Sequence, residues 1–364
     1  MKFVNKDKNL FFATLKQRID GYFKENNLSK NANSTMVVKS AVLIALYIVP
    51  FIWLLTFQPY FPVSLLLWFL MGLGVAGIGM SVMHDANHGA YSSNETVNKI
   101  MGHTLNLAGG AVLNWKLQHN VLHHMYTNIV DLDEDIADRV IMRFSPHTKM
   151  KNIQKFQKFY AFFFYGLITL YWVIGKDFVQ FAQFIKSGVN ANSKTENRWL
   201  LARIFLNKVL YLFVIFVVPV QFFHIPFLEI LAGFLLMHFV AGIILTVVFQ
   251  LAHTVEGTSH PRPTASGTIE NDWAIHQLQT TVNFSRDSKL ISWYVGGLNF
   301  QVEHHLFPKI CHVHYPALAP IVKQTAEEFG LEYMENETFG QALASHIATL
   351  ERFGTLPSMN EAIG

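Results

Sequence analysis

The chain has 364 residues, of which 51% are hydrophobic and 15% are charged, and its formal net charge is +3 at pH 7. This charged share is well below the roughly 25% of ordinary soluble proteins, and the mean hydropathy is +0.26, so the composition predicts an integral membrane protein. The small net charge and the scattered basic residues exclude a nucleic-acid partner. The single cysteine, Cys311, excludes an internal disulfide and any multi-thiolate metal site, so nitrogen and oxygen atoms must hold any metal.

The first 36 residues are polar, and we predict a cytosolic segment without a secretory signal peptide. Within it, hydrophobic residues recur at helical spacing, at Phe11, Leu15, Ile19 and Tyr22. This stripe predicts an amphipathic helix. Its apolar face lies either on the membrane surface or against the body of the protein, or it is ordinary core packing.

Four apolar stretches are long enough to cross a bilayer, which takes about 20 mainly apolar residues. They form two hairpins and cover about 38–57, 62–83, 205–223 and 228–251. A fifth run, 159–175, is shorter and is followed directly by Lys176 and Asp177. By itself this run could be a span, a re-entrant segment or an interfacial helix.

The parity of the crossings favours four spans. If 159–175 also crossed, the histidines that follow the last span would be separated from those that precede it, so we predict that this run is interfacial. The loop between the hairpins is rich in Lys and Arg, whereas the hairpin turns carry none, which places both termini and the histidines on the cytoplasmic side. We expect segments 1–36, 37–335 and 336–364, with amphipathic helices of a cytosolic cap at 317–329 and 338–352.

Histidines gather in three clusters and one further position, all on one predicted side of the membrane. They are His84 and His88, then His119, His123 and His124, then His304 and His305, and finally His253 at the end of the last span. Histidines at i and i+4 share a helix face, while an adjacent one points about 100° away, so one helix can serve two metals. Neutral imidazole is the commonest metal ligand. Eight such ligands are too many for one ion and suit two, which indicates redox chemistry on a lipid chain.

The segments HDANH (84–88), HNVLHH (119–124) and QVEHH (301–305) resemble, in order and spacing, the three histidine boxes of membrane fatty acid desaturases. The Gln that heads the third box is typical of the front-end branch, which inserts a double bond between an existing one and the carboxyl end. Flanking residues at 126–128, 144–147 and 306–308 match this branch, and about 35–335 looks most like bacterial linoleoyl-CoA (delta-6) type desaturases. The resemblance implies an all-α integral membrane protein, with four transmembrane helices in two hairpins, interfacial helices and a cytosolic helical cap that carries a histidine-ligated di-iron site.

By the same resemblance, His253 matches a ligand outside the boxes, and Gln301 is a further ligand, directly or through a water. Asp85 and Glu303 lie inside boxes and suit hydrogen bonds that orient imidazoles. The acidic run of Asp131, Asp133, Glu134 and Asp135 is a solvated loop, a second set of orienting groups or a contact for an electron donor. Among the other histidines, His238 lies about 22 Å along a helix from His253 and cannot share the site. His312 and His314 are weak candidates, and His103, His147, His260 and His276 are expected to be structural.

The family resemblance implies an O2-dependent fatty acyl desaturase with two iron ions, which inserts a cis double bond on the carboxyl side of an existing one. Iron is favoured over zinc because zinc has no redox chemistry. The substrate is an acyl-CoA or an acyl-lipid. The chain contains no HPGG haem element, so we expect a separate electron donor, a ferredoxin or cytochrome b5, with its reductase.

Other functions stay open at this point. A sphingolipid-type desaturase or a di-iron lipid hydroxylase would use the same scaffold and the same boxes. A metal transporter is a remote alternative, because transport predicts ionisable residues along the spans, whereas here the histidines gather at one face and only His238 lies deep in a span.

Overall fold

The computed structural model describes residues 1–4, 10–137 and 139–357. Its α-helices, in chain order, are α1 (Phe11–Glu25), α2 (Ser34–Phe57), α3 (Phe61–Gly77), α4 (Met83–His88), α5 (Glu95–Gly102), α6 (Val112–Trp115), α7 (His124–Tyr126), α8 (Gln157–Tyr171), α9 (Asp177–Lys186), α10 (Lys194–Leu212), α11 (Phe227–His253), α12 (Trp273–Thr280), α13 (Lys289–Tyr294), α14 (Gln301–Leu306), α15 (Tyr315–Glu328) and α16 (Phe339–Thr355). Wider π-helical turns lie at Ile78–Val82, Lys116–His123, Trp172–Lys176 and Phe213–Phe222, and 3₁₀ turns lie at His103–Ala108, Glu134–Ile136, Asn152–Phe156 and His312–His314. The strands β1 (Lys2–Phe3), β2 (Thr268–Ile269), β3 (Asn283–Phe284) and β4 (Glu335–Asn336) are two residues each.

The described residues divide into two compact units, and each is described by itself. The span unit comprises Ser34–Leu117 and Phe162–Val247. The cap unit comprises Met1–Asn33, Gln118–Ala161 and Val248–Gly364, as far as these segments fall within the described ranges.

Long apolar helices build the span unit, and two polar contacts join their turns. The side-chain amide of Gln58, in the turn after α2, donates a hydrogen bond to the carbonyl oxygen of Phe223, just before α11, at 2.8 Å. The Ser64 hydroxyl, in the first turns of α3, donates to a carboxylate oxygen of Glu229 at 2.6 Å. Both helix-joining turns therefore lie at the same end of this unit.

Glycines bring the helices of the span unit into backbone contact. A Cβ atom on Gly72 would lie 2.7 Å from the carbonyl oxygen of Met237, and one on Gly74 would lie 2.8 Å from the backbone nitrogen of Tyr47. Small residues are what allow such close approach between apolar helices, where tight packing replaces a hydrophobic driving force. As a result, α3 packs directly against both α2 and α11.

The cap unit has a hydrophobic core of its own, in which α1 packs against α15. The buried side of α1 consists of Phe11, Leu15, Ile19 and Phe23. This result confirms the predicted amphipathic helix and shows that its stripe is core packing against the body of the protein. Tyr22 is only partly buried, because Phe23, four residues after Ile19, falls on the inner face.

Short strands and the last helix complete the cap unit. β1 pairs in parallel with β2, and β3 with β4. A capping box of Thr338 and Gln341 begins α16. Near the other end of α16, the buried guanidinium of Arg143 donates to the carbonyl oxygens of Phe353 at 2.6 Å and Leu356 at 2.7 Å. The amphipathic helices predicted for 317–329 and 338–352 are confirmed as α15 and α16.

Each of the four predicted spans coincides, to within one residue at its ends, with part of a helix of sufficient length and hydropathy, but the described residues contain five such helices. They are Ser34–Phe57, Phe61–His88, Asn152–Lys186, Lys194–Phe222 and Phe227–His253. The additional one, Asn152–Lys186, contains the run 159–175 and extends well beyond it in both directions. It is also the least apolar, with a mean hydropathy of 1.3 in its best window against 2.1 to 2.4 for the others.

We expect Gly233→Ala to destabilise the span unit, although an alanine in a helix interior normally adds about 1 kcal/mol of stability over glycine. The new Cβ would lie 2.1 Å from Cδ1 of Trp68, a fully buried side chain, so a loss of about 1–3 kcal/mol is expected. Thermal unfolding in detergent measures it. The control is Gly340→Ala, where the nearest atom is 4.0 Å away and no loss is expected. Equal unfolding temperatures for wild type and Gly233→Ala would contradict this close packing.

Candidate metal centre

The first histidine cluster belongs to the span unit. A π-helical turn at Ile78–Val82 leads into α4, which is terminated by Gly89 directly after it, in the left-handed conformation (φ 76°). His84 and His88 are both buried, and their ring centroids lie 4.8 Å apart. The Trp115 ring packs edge-on against each imidazole at 5.7 Å. The i, i+4 spacing thus puts both imidazoles on one face, as predicted.

The other histidines of the three boxes lie in the cap unit, where the second and third boxes meet. His119 stacks on His123 with ring centroids 5.4 Å apart, and Nε2 of His124 lies 3.2 Å from Nε2 of His119. From α14, His304 approaches His124 at 4.6 Å between centroids, and His305 approaches it at 4.4 Å. Two helical segments far apart in the sequence therefore bring five imidazoles together.

His253, at the end of α11, joins this group. Its ring centroid lies 4.8 Å from those of His123 and His305, and the candidate ligand atoms of these three residues all lie within 4.8 Å of one another. All three side chains are buried. His253, expected as a ligand outside the boxes, therefore lies in one buried group with His123 and His305.

Most of these imidazoles are held through Nδ1. His253 Nδ1 lies 3.1 Å from the carbonyl oxygen of Thr280, and His305 Nδ1 lies 2.8 Å from the amide oxygen of Gln277. Both acceptors require a proton on Nδ1, which leaves the lone pair of Nε2 for a metal. His304 Nδ1 lies 3.3 Å from the hydroxyl of Tyr315. These partners, Gln277, Thr280 and Tyr315, were not predicted from the sequence.

The Nε2 atoms of these imidazoles show whether the site is suited to a metal ion. Nε2 of His123 and Nε2 of His253 are buried and have no hydrogen-bond partner among the described residues. A buried imidazole nitrogen without a partner costs free energy unless something binds it. Nitrogen donors suit iron and other transition metals. The donor set, its burial and its orientation therefore fit a metal ion.

A buried carboxylate balances the charge of this site. Asp133 Oδ2 lies 3.1 Å from Nδ1 of His123 and accepts a second hydrogen bond from the backbone N–H of Asn128 at 3.0 Å. Asp135 Oδ2 lies 3.5 Å from the same Nδ1. Burial works against a charged imidazole, but the two carboxylates outweigh it and raise the pKa of His123. The same negative charges favour a metal cation at Nε2.

The members of the acidic run 131–135 have different environments and therefore different roles. Asp133 is 1% exposed and orients His123, whereas Asp131 is exposed and has a positive φ of 69°. Asp133 was among the open alternatives, and its spacing of ten residues after His123 carried no helical or strand signal that singled it out. The conformation of the loop brings the Asp133 carboxylate next to Nδ1 of His123.

The two carboxylates predicted to orient imidazoles are placed differently from Asp133. Glu303 is fully buried, but its oxygens accept from the amide of Asn283 at 2.8 Å and the hydroxyl of Tyr333 at 2.7 Å, and none of its described hydrogen bonds reaches an imidazole. Burial raises its pKa to about 7. Glu303 thus fixes the position of α14 through Asn283 and Tyr333 and does not orient an imidazole ring. Asp85 lies 3.8 Å from Nδ1 of its neighbour His84, beyond hydrogen-bonding distance.

Gln301 begins α14 and is buried, and its side-chain oxygen has no hydrogen-bond partner among the described residues. This placement is compatible with the predicted role as a ligand, directly or through a water, because a buried amide oxygen needs a partner.

Several further histidines outside the boxes have partners of other kinds. His238 bonds to the hydroxyl of Tyr211 at 2.7 Å within the span unit. Four bond to backbone carbonyl oxygens, His103 to Lys99, His147 to His260, His260 to Phe144 and His314 to Asn31. His276 packs its ring on Phe3 at 5.1 Å. These contacts agree with structural roles.

We expect Asp133→Asn to lower the metal affinity of the cap unit by about 10–100-fold, because it removes the charge that orients His123. Iron per chain after dialysis against a chelator is the measurement. Asp131→Asn is the matched control, since it makes the same chemical change at an exposed position of the same loop, and it should retain the wild-type iron content. Full iron retention by Asp133→Asn would show that this carboxylate does not support the site.

Comparison with known proteins identifies the family. The family model for fatty acid desaturases matches residues 60–337. A sn-1 linoleoyl-lipid 6-desaturase from Synechocystis is 36% identical over 94% of this chain and 95% of its own length, and one from Arthrospira platensis is 34% identical over 95% and 93%. An acyl-lipid (8-3)-desaturase from Physcomitrium patens is 32% identical over 97% of this chain and 74% of its own length. The chain therefore belongs to the fatty acid desaturase family and is an oxidoreductase that acts on fatty acyl chains.

Proposed function

We propose that this desaturase inserts a cis double bond between an existing double bond and the carboxyl end of a lipid-bound acyl chain, as in the 6-desaturation of a linoleoyl group. The observation that carries the proposal is the buried cluster of His123, His253 and His305, in which the Nδ1 atom of each ring lies beside a hydrogen-bond acceptor. His123 and His305 belong to the second and third boxes, and His253 matches the ligand outside the boxes. The Gln-headed third box supports front-end regiochemistry. The names of the two similar 6-desaturases favour a lipid over a coenzyme A thioester as the acyl carrier.

We further propose that two iron ions are bound by the histidines of the three boxes and His253, with Gln301 as a further ligand, directly or through a water. When bound, iron supplies the O2-dependent redox chemistry that removes hydrogen from an unactivated methylene pair, which no protein side chain can do. In the net reaction the acyl chain loses two hydrogens and O2 becomes two waters, with two electrons from a separate ferredoxin or cytochrome b5 and its reductase and two protons from the solvent.

The residues of the cap unit have separable tasks in this scheme. Thr280 and Gln277 fix the tautomers of His253 and His305, and Asp133 compensates positive charge beside His123. The Phe249 ring lies 4.9 Å from the rings of both His123 and His253, which excludes water from that side. Such fixed, buried groups need no reorganisation during the reaction.

We propose four crossings, with Asn152–Lys186 lying along the membrane surface. His123 and His253 lie together within the cap unit, so an even number of crossings must separate them, yet three candidate helices intervene. Gln58 and Phe223 are also in contact, so an even number of crossings must separate them as well. Three candidate helices lie between these two residues, namely Phe61–His88, Asn152–Lys186 and Lys194–Phe222. Asn152–Lys186 and Lys194–Phe222 belong to both sets, and the former is the less apolar. Both termini and the histidine site are then cytoplasmic.

Single cysteines test this topology in a Cys311→Ser background, where the only native cysteine is removed. The positions are Tyr60→Cys, Ser93→Cys and Ala191→Cys, all exposed. A membrane-impermeant maleimide should label Ser93→Cys and Ala191→Cys from the cytoplasmic side and Tyr60→Cys from the opposite side. If Ala191→Cys is labelled together with Tyr60→Cys, Asn152–Lys186 crosses the membrane and the four-span topology is wrong.

Fatty-acid profiling of a bacterial host that is fed linoleate and supplied with ferredoxin and its reductase tests the activity. Wild type should produce a new cis double bond on the carboxyl side of the existing ones, located by mass spectrometry. His123→Ala should abolish the product, because it removes a central imidazole, whereas His103→Ala, which removes a ring bonded to a backbone carbonyl, should retain it.

The same profile separates the alternatives. A hydroxylated chain would indicate a di-iron hydroxylase, and modification confined to sphingoid chains would indicate a sphingolipid-type desaturase. A product from His123→Ala equal to that of wild type would overturn the ligand assignment. Membership of the desaturase family removes the support for a metal transporter.

A further inference from the structure

The first half of α10 carries an exposed surface that no part of the proposed reaction uses. This helix opens the candidate span Lys194–Phe222. Its exposed residues form two stripes at the i, i+4, i+7 and i+11 spacing that keeps side chains on one helix face. We name this surface the arginine–tryptophan surface, and it consists of Lys194, Arg198, Leu201 and Phe205 in one stripe and Trp199, Arg203, Leu206 and Leu210 in the other.

A buried lysine on the opposite side of α10 fixes which residues face outward. The buried side of the helix consists of Ile204, Lys208 and Tyr211. The Lys208 ammonium lies 2.8 Å from a carboxylate oxygen of Asp177. It also donates to the carbonyl oxygens of Gly109 at 2.9 Å and Trp172 at 2.7 Å. Because a buried charge that loses its partners is strongly unfavourable, α10 cannot rotate about its axis, and both stripes stay exposed.

The three cations of this surface are not neutralised by the described part of the chain. Lys194, Arg198 and Arg203 are exposed, and none of them forms an ion pair with a described carboxylate. The one carboxylate in the same turns, that of Glu196, accepts a hydrogen bond from the backbone N–H of Ser193 at 2.8 Å, within the capping box that begins the helix. The arginine–tryptophan surface therefore carries a net positive charge.

Beyond these charges both stripes become apolar and stay exposed. Trp199 is 70% exposed, Phe205 61% and Leu206 63%, and exposed apolar patches of this kind mark interaction sites. Phe205 follows Arg198 by about 10 Å along the helix, whereas the headgroup layer on each side of a bilayer is about 6 Å thick. Arginine side chains near such a boundary keep the guanidinium group in the headgroup layer. The surface thus matches the change from lipid headgroups to acyl chains.

We propose that the arginine–tryptophan surface binds an anionic phospholipid, with Arg198 and Arg203 on the phosphate and Phe205 among the upper acyl chains. Guanidinium groups match the geometry of phosphate oxygens, and each basic residue near the membrane surface strengthens the attraction of anionic lipid by a factor of about five. Tryptophan is enriched at the same depth. An acidic protein would match the cations but would leave Phe205 and Leu206 without apolar partners. The binding requires only that α10 enters the bilayer, so it does not depend on the number of crossings.

Native mass spectrometry of the intact protein in a neutral detergent tests this proposal, with dioleoyl phosphatidylglycerol and dioleoyl phosphatidylcholine as probes. Wild type should bind the anionic lipid more tightly. In the variant K194Q/R198Q/R203Q, affinity for phosphatidylglycerol should fall at least about tenfold, while affinity for phosphatidylcholine stays unchanged. Because basic residues also direct membrane insertion, the variant R198Q/R203Q, which keeps Lys194, serves if the triple variant is not inserted.

The control K16Q/K24Q/K289Q removes three exposed lysines of the cap unit and should bind both lipids as wild type does. W199A/F205A should weaken both lipids together. Equal binding of the two lipids by wild type, or undiminished phosphatidylglycerol binding by the charge variants, would overturn the proposal. Loss of electron transfer from an added acidic carrier, with lipid binding intact, would assign the surface to a protein instead. Desaturase activity is measured separately, so failure here leaves the proposed reaction untouched.

Discussion

The histidine site depends on the hydrogen bond that orients each imidazole through its Nδ1 atom. A histidine binds a metal through one nitrogen, and the hydrogen bond at the other nitrogen decides which one is available. In the cap unit, Nδ1 of His123, His253 and His305 is occupied by a carboxylate, a backbone carbonyl and a side-chain amide. The carboxylate comes from the loop that carries Asp133, and the other two acceptors both come from α12, so the tertiary fold, rather than the helices that carry the histidines, presents the Nε2 atoms inward.

The supporting groups are themselves tied into the cap unit. Asp133 accepts a backbone N–H while it holds His123. Asn283 accepts from the backbone N–H of Val302 at 2.9 Å through its side chain and donates to Glu303, so the start of α14 is fixed next to the strand pair of β3 and β4. The buried Glu303, whose pKa burial raises to about 7, contributes to this anchoring. The position of the third box is therefore set by polar contacts as much as by the hydrophobic core.

Topology and chemistry constrain each other in this protein. Residues on either side of three apolar helices meet in one buried cluster, which only an even number of crossings allows. The helix that we place on the surface, Asn152–Lys186, carries lysines at its beginning and exposed phenylalanines beyond them. An interfacial position suits both kinds of side chain, since lysines can contact the lipid headgroups while the phenylalanine rings lie among the acyl chains. The parity of the chain and the character of this helix lead to the same arrangement.

The sequence by itself determined the membrane class, the helical character, the family and the histidines, because periodicity, composition and box spacing are local properties of the chain. It also predicted the buried stripe of α1, although it named Tyr22 as the last residue where the structure buries Phe23. Only the tertiary structure decided which carboxylate serves the site. The sequence favoured Glu303, inside a box, over Asp133 in the acidic run, but a hydrogen bond depends on distances between loops and helices that no local pattern encodes. The roles of Gln277, Thr280 and Tyr315 arise in the same way, because long-range packing brings them to the imidazoles.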